Sequence, residues 1–196
     1  MLTAMSLLIC PPETPFAPHD ARLSHSGKRY RCAVGRTGLI AEGEKCEGDG
    51  ATPIGRYRLL SGFYRADRIA RPLTAGLVMT PIQPGMGWQD DPASSRYNCL
   101  IPDGYPMEGE ESFLRQDDRY DIIVVLDHNA AWPHPEARPP DVAVKPGGGS
   151  AIFLHVWNET DGKPTGTAGC VAMRQADLLA VLAQCATGAE IVIREA

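Results

Sequence analysis

No stretch of the chain approaches the ~20 consecutive apolar residues of a membrane-spanning helix, and no two cysteines have the CxxC spacing of a zinc ribbon. No Lys or Arg precedes Arg22, so the positive n-region of a secretory signal is missing although residues 1–10 (MLTAMSLLIC) are apolar. That run stops at Pro11-Pro12 without a small-residue cleavage site and reads as a first strand or an apolar arm. Fixed-period repeats and low-complexity tracts are absent. Positive charge is also short. With 19 Lys and Arg against 24 Asp and Glu, the net charge is −5, which excludes the broad basic face that nucleic acid or an anionic membrane demands.

What remains is an ordinary globular composition, 43% hydrophobic and 22% charged, over 196 residues. That is enough for one domain with its own core and short for two. The expected division is an N-terminal strand or arm over 1–25 and one main domain over 26–196. The 20 Gly and 17 Pro are scattered among apolar segments, which points to many turns joining short strands. Six cysteines without an export signal are expected to be mostly reduced thiols in a cytoplasmic protein; a periplasmic or wall-associated location is the alternative.

Along the chain, residues 28–41 alternate around Gly35-Arg36-Thr37-Gly38 and are expected to form a hairpin. RYRLLSGFY (56–64) is a further strand, and 65–120 reads as short strands and long ordered loops. The apolar runs DIIVVLD (121–127) and AIFLHVW (151–157) predict strands buried on both faces. After Cys170 the period changes: Leu178, Leu179, Leu182 and Cys185 share one helical face, Gly188 stops the helix, and 189–195 closes the chain as a strand. The expected fold is mainly β, a single sandwich of packed sheets with one principal helix after Cys170.

The chemistry concentrates between Gly149 and Met173. His155 lies near the end of a buried strand, and fifteen residues later Cys170 follows Thr167-Ala168-Gly169. A thiol is a strong nucleophile only as thiolate, and a neighbouring imidazole and a helix N-terminus both favour that form. Small residues before the cysteine let substrate approach the backbone. They leave the amides of Gly169 and Cys170 to serve as an oxyanion hole, a device worth ~100-fold or more in rate per donor.

This stretch resembles the catalytic signature of the L,D-transpeptidase (YkuD-like) family, in which a strand His is followed by a [Ser/Thr]-x-Gly-Cys turn. The matching residues are Gly149 through His155, then Thr167-Ala168-Gly169-Cys170-Val171. Thr52-Pro53-Ile54-Gly55 is similar to the family's Thr-Pro-x-Gly turn, and Trp88-Gln89-Asp90-Asp91-Pro92, Tyr97-Asn98 and Tyr120-Asp121 resemble one group of small members. Two positions depart from the common pattern: Ala168 where many members have His, and Ala172 where many have Arg.

The resemblance implies a β-sandwich catalytic domain and a reaction on peptidoglycan stem peptides or muropeptides, with no metal and no organic cofactor. Cys170 attacks the carbonyl before the terminal D-Ala, His155 carries protons, and its other ring nitrogen donates to a backbone carbonyl. The resulting thioester passes to an amine (a 3→3 cross-link) or to water (L,D-carboxypeptidase activity). Thr167 flanks the substrate. Since both stem ends carry carboxylates, a cleft cation is expected, from Arg119 or from Arg174 in the helix. His128 is expected at the same cleft, and Trp88 and Tyr97 along the stem groove. An exported transpeptidase, a cytoplasmic carboxypeptidase of wall recycling and a catalytically silent stem-binding domain are the three functional readings.

Overall fold

The structure is a computed structural model that describes residues 5–9, 18–102, 111–133, 143–186 and 188–195. Its strands are β1 (Met5–Ile9), β2 (Asp20–His25), β3 (Lys28–Ala33), β4 (Leu39–Ala41), β5 (Thr52–Tyr64), β6 (Met79–Pro81), β7 (Gly87–Trp88) and β8 (Leu100–Ile101). They continue as β9 (Glu111–Ser112), β10 (Ile122–Leu126), β11 (Phe153–Val156), β12 (Glu159–Thr160), β13 (Lys163–Pro164), β14 (Val171–Met173) and β15 (Glu190–Glu195). Among the described residues a single α-helix, α1 (Gln175–Leu182), accompanies them. The expected mainly-β domain with one principal helix after Cys170 is what the chain forms.

The main sheet runs β10-β11-β14-β3-β2-β1-β15-β5, and β5 pairs back onto β10, so the path closes on itself. Closure is possible because β5 is long: Gly55–Arg58 pairs with β15, while Leu59–Tyr64 pairs with β10 across a register shift between Val124 and Leu126. A closed sheet has no exposed edge along that path. Strand β2 spans residue 25, and β1 lies between β2 and β15, so the expected 1–25 arm supplies two strands of this sheet.

Side-chain alternation divides the interior into two clusters. The residues inside the closed sheet include Leu23, Cys32, Tyr57, Leu59, Val124, Leu154, Val171 and Ile191, joined by Leu178, Val181, Leu182 and Cys185 from α1 and the residues after it. A second cluster lies on the opposite face of β10 and β11 and contains Phe63, Trp88, Phe113, Tyr120, Ile123, Val125, Phe153 and Cys170. The two central strands are therefore covered on both sides, which is why 121–127 and 151–157 read as unbroken apolar runs. Most ring pairs of the second cluster meet edge to face, as Trp88 and Phe153 do with centroids 5.2 Å apart at 88°, and such a pair is worth about 0.5–1.5 kcal/mol beyond its buried area.

The hairpin expected over 28–41 is not formed. β3 pairs antiparallel with β2 and β14, whereas β4 runs parallel to β5. The real hairpin is β2–β3, turning at Ser26-Gly27 with both φ values positive (49° and 75°), the two-residue geometry that matches strand twist. The Gly35–Gly38 segment is still a tight turn, with the Gly38 amide on the Gly35 carbonyl at 2.8 Å. Its outer side is used differently: Thr167 N–H donates to Val34 O (2.9 Å) and Arg36 N–H to Thr167 O (2.8 Å), so it braces the turn before Cys170.

Candidate active site

Strand register brings the two expected catalytic residues to one face. β11 and β14 are parallel, with Leu154 opposite Val171, His155 opposite Ala172 and Val156 opposite Met173. Leu154, Val156, Val171 and Met173 point into the closed core, so Phe153, His155, Cys170 and Ala172 take the other face. Cys170 does not open a helix, as the sequence pattern suggested. Val171–Met173 is needed as the strand between β11 and β3, and α1 starts only at Gln175. The helix N-terminus therefore lends the thiol no direct help.

The turn carrying Cys170 is pinned from three directions. Gly169 has φ 151°, and a Cβ there would meet Ala51 O at 3.0 Å and Ile152 Cδ1 at 3.1 Å, so only glycine fits without displacement. Thr167 Oγ1 donates to Cys170 O (2.7 Å) and accepts the Gly169 amide (3.1 Å). Thr52-Pro53-Ile54-Gly55, expected as a turn, opens β5 instead, and the fully buried Thr52 donates through Oγ1 to Gly169 O at 2.8 Å and accepts Gly35 N–H at 2.8 Å. One hydroxyl thus ties the Gly35 turn and the start of β5 to the peptide before the sulfur.

The sulfur and the imidazole share the site without a hydrogen bond between them. Cys170 Sγ donates to Ala151 O (3.1 Å) and accepts Phe153 N–H (3.4 Å). Burial pushes this thiol up to about 12, and the Glu111 charge pushes the same way. The Phe153 amide, Lys45 and Arg119 pull down and lose. His155 Nδ1 lies 2.7 Å from Val156 O. The carbonyl can only accept, so Nδ1 carries the proton and Nε2 is the free base. Burial holds the ring down to about 4, with Arg119 and Arg115 adding to it against the Val156 carbonyl, so the imidazole is neutral at neutral pH. The resting pair is a neutral thiol beside a neutral base, and a proton transfer between them needs Sγ to turn from Ala151 O toward Nε2. Such contacts commonly tighten only when substrate is bound.

Both groups line one cleft of about 420 Å³, with Lys45, Glu47, Asp90, Glu111, Arg119 and Thr167 around them. Gly169 is there as well, and Tyr120 closes one wall with its ring 5.5 Å from that of His155. Of the expected substrate contacts, Thr167 and Arg119 reach the cleft. The others do not line it. Trp88 is wholly buried in the aromatic cluster, its indole N–H donating to Asn98 Oδ1 (2.8 Å). Tyr97 is buried behind the wall, donating to Glu47. His128 sits beneath Gly149 with Nε2 3.0 Å from Gly148 O. Arg174 lies over the Trp157 ring at 5.5 Å. Each went where buried area or a stacking face was on offer.

Comparison with known families decides what this arrangement belongs to. The profile of the YkuD family, the L,D-transpeptidase catalytic domain, matches residues 22–193. The chain is a member of the YkuD family. No curated protein and no solved structure shows significant similarity to it. The YkuD match spans both halves of the site, the start of β5 at Thr52 and the His155–Cys170 segment.

Several groups at this YkuD cleft were given no role by the sequence reading: Lys45, Glu47 and Glu111, which it passed over, and Tyr120 and Thr52, which it singled out only for their resemblance. Lys45 and Glu47 belong to a turn-rich stretch with no periodicity to orient them, and only closure of the sheet carries that stretch to Cys170. Among the described residues no group of three or more side chains is arranged to hold a metal ion, and no helix is long and apolar enough to cross a membrane.

Proposed function

We propose that this YkuD domain is a cysteine acyltransferase that acts on peptidoglycan tetrapeptide stems through a Cys170 thioester. The observation that carries this reading is the shared outer face of β11 and β14. It puts a thiol and an imidazole with a fixed tautomer in one cleft, two residues out of step across a parallel pair. Sγ attacks the carbonyl before the terminal D-Ala, and its proton passes to His155 Nε2. The C–N bond then breaks as His155 returns that proton to the leaving amine, and the thioester remains. Deacylation repeats the sequence with an incoming amine or water.

A transferase outcome is favoured by the charge around the thiol. Glu47, Asp90 and Glu111 all line the cleft, and an acceptor amine arrives as an ammonium ion. Its attraction to these carboxylates raises its local concentration against water. The test is to incubate the protein with a disaccharide-tetrapeptide and resolve the products by mass. Cross-linked dimer with released D-Ala is the expected result; tripeptide alone assigns the protein to L,D-carboxypeptidase hydrolysis instead. No release of D-Ala rejects both and leaves a stem-binding domain.

A further inference from the structure

The oxyanion hole expected of two adjacent amides is half committed elsewhere. Gly169 N–H donates to Thr167 Oγ1 at 3.1 Å. The Cys170 amide has no acceptor among the described residues and remains available. Tetrahedral acyl-transfer intermediates are ordinarily held by two or more donors, so a second one must come from outside the turn.

Lys45 has the required features. Its side chain is 2% exposed, yet it lines the cleft with Cys170. An ammonium has three N–H bonds. One goes to Cys46 O at 3.0 Å and one to Asp49 Oδ1, leaving the third without an acceptor among the described residues. A Cβ placed on Gly169 would stand 3.6 Å from Nζ, so the ammonium sits directly against the turn that carries the nucleophile. Asp49 also accepts the Cys46 and Ala51 amides, both at 2.9 Å, which fixes the carboxylate that in turn fixes the ammonium. The other cleft cation is oriented away from this duty: the Arg119 guanidinium forks onto Asp117 through Nε (3.0 Å) and Nη2 (2.7 Å).

We propose that Lys45 is a catalytic residue, the oxyanion donor that stands in for the Gly169 amide. It rests on Cys170 being the nucleophile. As the S–C bond forms, the carbonyl π pair moves to oxygen and the thiol proton moves to His155. Lys45 and the Cys170 amide hold the oxyanion, and Lys45 keeps all its protons throughout. When the carbonyl re-forms, the C–N bond breaks and the amine takes the proton from His155. A donor fixed by Asp49 is strong here because charge develops on the oxygen only in the transition state.

The competing role for a buried cation is to bind the terminal carboxylate of the stem. Two substrates separate them, a tetrapeptide ending in free D-Ala and the same peptide ending in D-alaninamide. Lys45→Met is expected to lower kcat on both by about 100-fold, with KM changed only a few-fold. A loss confined to the free acid, or a loss in KM alone, overturns the proposal. Since Lys45→Met leaves Asp49 without its cation, the double variant Lys45→Met with Asp49→Asn keeps the loop neutral. It must show the same kcat loss, and recovery of the wild-type rate contradicts the donor role.

Acylation of Cys170 by 4-nitrophenyl acetate, followed by mass, supplies a readout free of stem recognition. A similar loss in Lys45→Met is expected there, and an unchanged rate overturns the proposal. Should the wild-type protein release D-Ala from neither peptide yet acylate in a Lys45-dependent way, the stem assignment fails and the oxyanion role stands.

Discussion

The two faces of β11 and β14 are made of the same few residues and do opposite work. Leu154, Val156, Val171 and Met173 turn inward and are almost fully buried in the closed core. Phe153, His155, Cys170 and Ala172 turn outward, and two of them line the cleft. Under the proposed function, alternation along a strand separates stability from chemistry by one residue. The outer face is nearly as buried as the inner one, with His155 4% and Cys170 8% exposed. What distinguishes it is polar atoms with places to send protons.

If that division holds, outer-face substitutions remove turnover and leave the fold, and inner-face substitutions do the reverse. The largest effect on turnover belongs to Cys170→Ala, which should abolish D-Ala release with little change in thermal midpoint. Release at the wild-type rate would remove the nucleophile from this face.

His155→Gln comes next, with acylation slowed by about 10²–10⁴-fold and stem binding almost unchanged; equal losses in both would argue against a base. The same variant tests the burial of the ring. The folded form of His155 sits at about 4 against an ordinary 6.5, so between those values the unfolded chain binds more protons than the native one. Stability is full above 6.5 and is lost as pH falls toward 4, by on the order of 3 kcal/mol for this one residue. Burial also lowers His25 and His128, so the variant should flatten the acid side of the stability profile without levelling it. The acid limb of kcat/KM in the wild type should fall near 4 rather than 6.5.

Thr52→Val tests whether the pinning hydroxyl serves the outer face alone. It strands Gly35 N–H and Gly169 O, and a turn displaced by about 1 Å costs about 10²-fold in rate. Thr52→Ser keeps both bonds and should retain most of the activity. Equal loss in the two variants would show that the methyl group matters and the hydroxyl does not.

The smallest effect on turnover is expected from Leu154→Ala, one residue from His155 but on the inner face. It should cost about 2–5 kcal/mol of stability, read by denaturant titration, while turnover per folded molecule stays near wild type. A large fall in turnover of the folded fraction would mean the faces are coupled through the strand.

The legible parts of this molecule were those in which the local pattern and the tertiary role agree. The runs at 121–127 and 151–157 are apolar because both sheet faces are covered, and the helical period of Leu178, Leu182 and Cys185 survives because one side of α1 packs into the core. That His155 and Cys170 share a cleft agrees with the strand and small-residue turn visible in the sequence. The 28–41 hairpin was misassigned because a Gly-bounded turn reports a change of direction and carries nothing about which strands pair afterwards.

The start of the helix was misplaced for a related reason. Val171-Ala172-Met173 fits a helix locally, and only the neighbouring strands β11 and β3 extend it. Lys45, Thr52 and Glu111 reach Cys170 through closure of the sheet and long-range contact, which no window of sequence contains. Trp88 and Tyr97 were assigned to a groove by residue type, yet the aromatic cluster and Glu47 claim them.

The most direct test is the intact mass of the protein after brief exposure to a tetrapeptide stem, followed by mapping of the modified peptide. A tripeptide acyl adduct on Cys170, with loss of D-Ala, is the predicted result, even though Cys46 is the exposed thiol among the described residues. An adduct on Cys46 in place of Cys170, or D-Ala release with no acylated cysteine, would contradict the account.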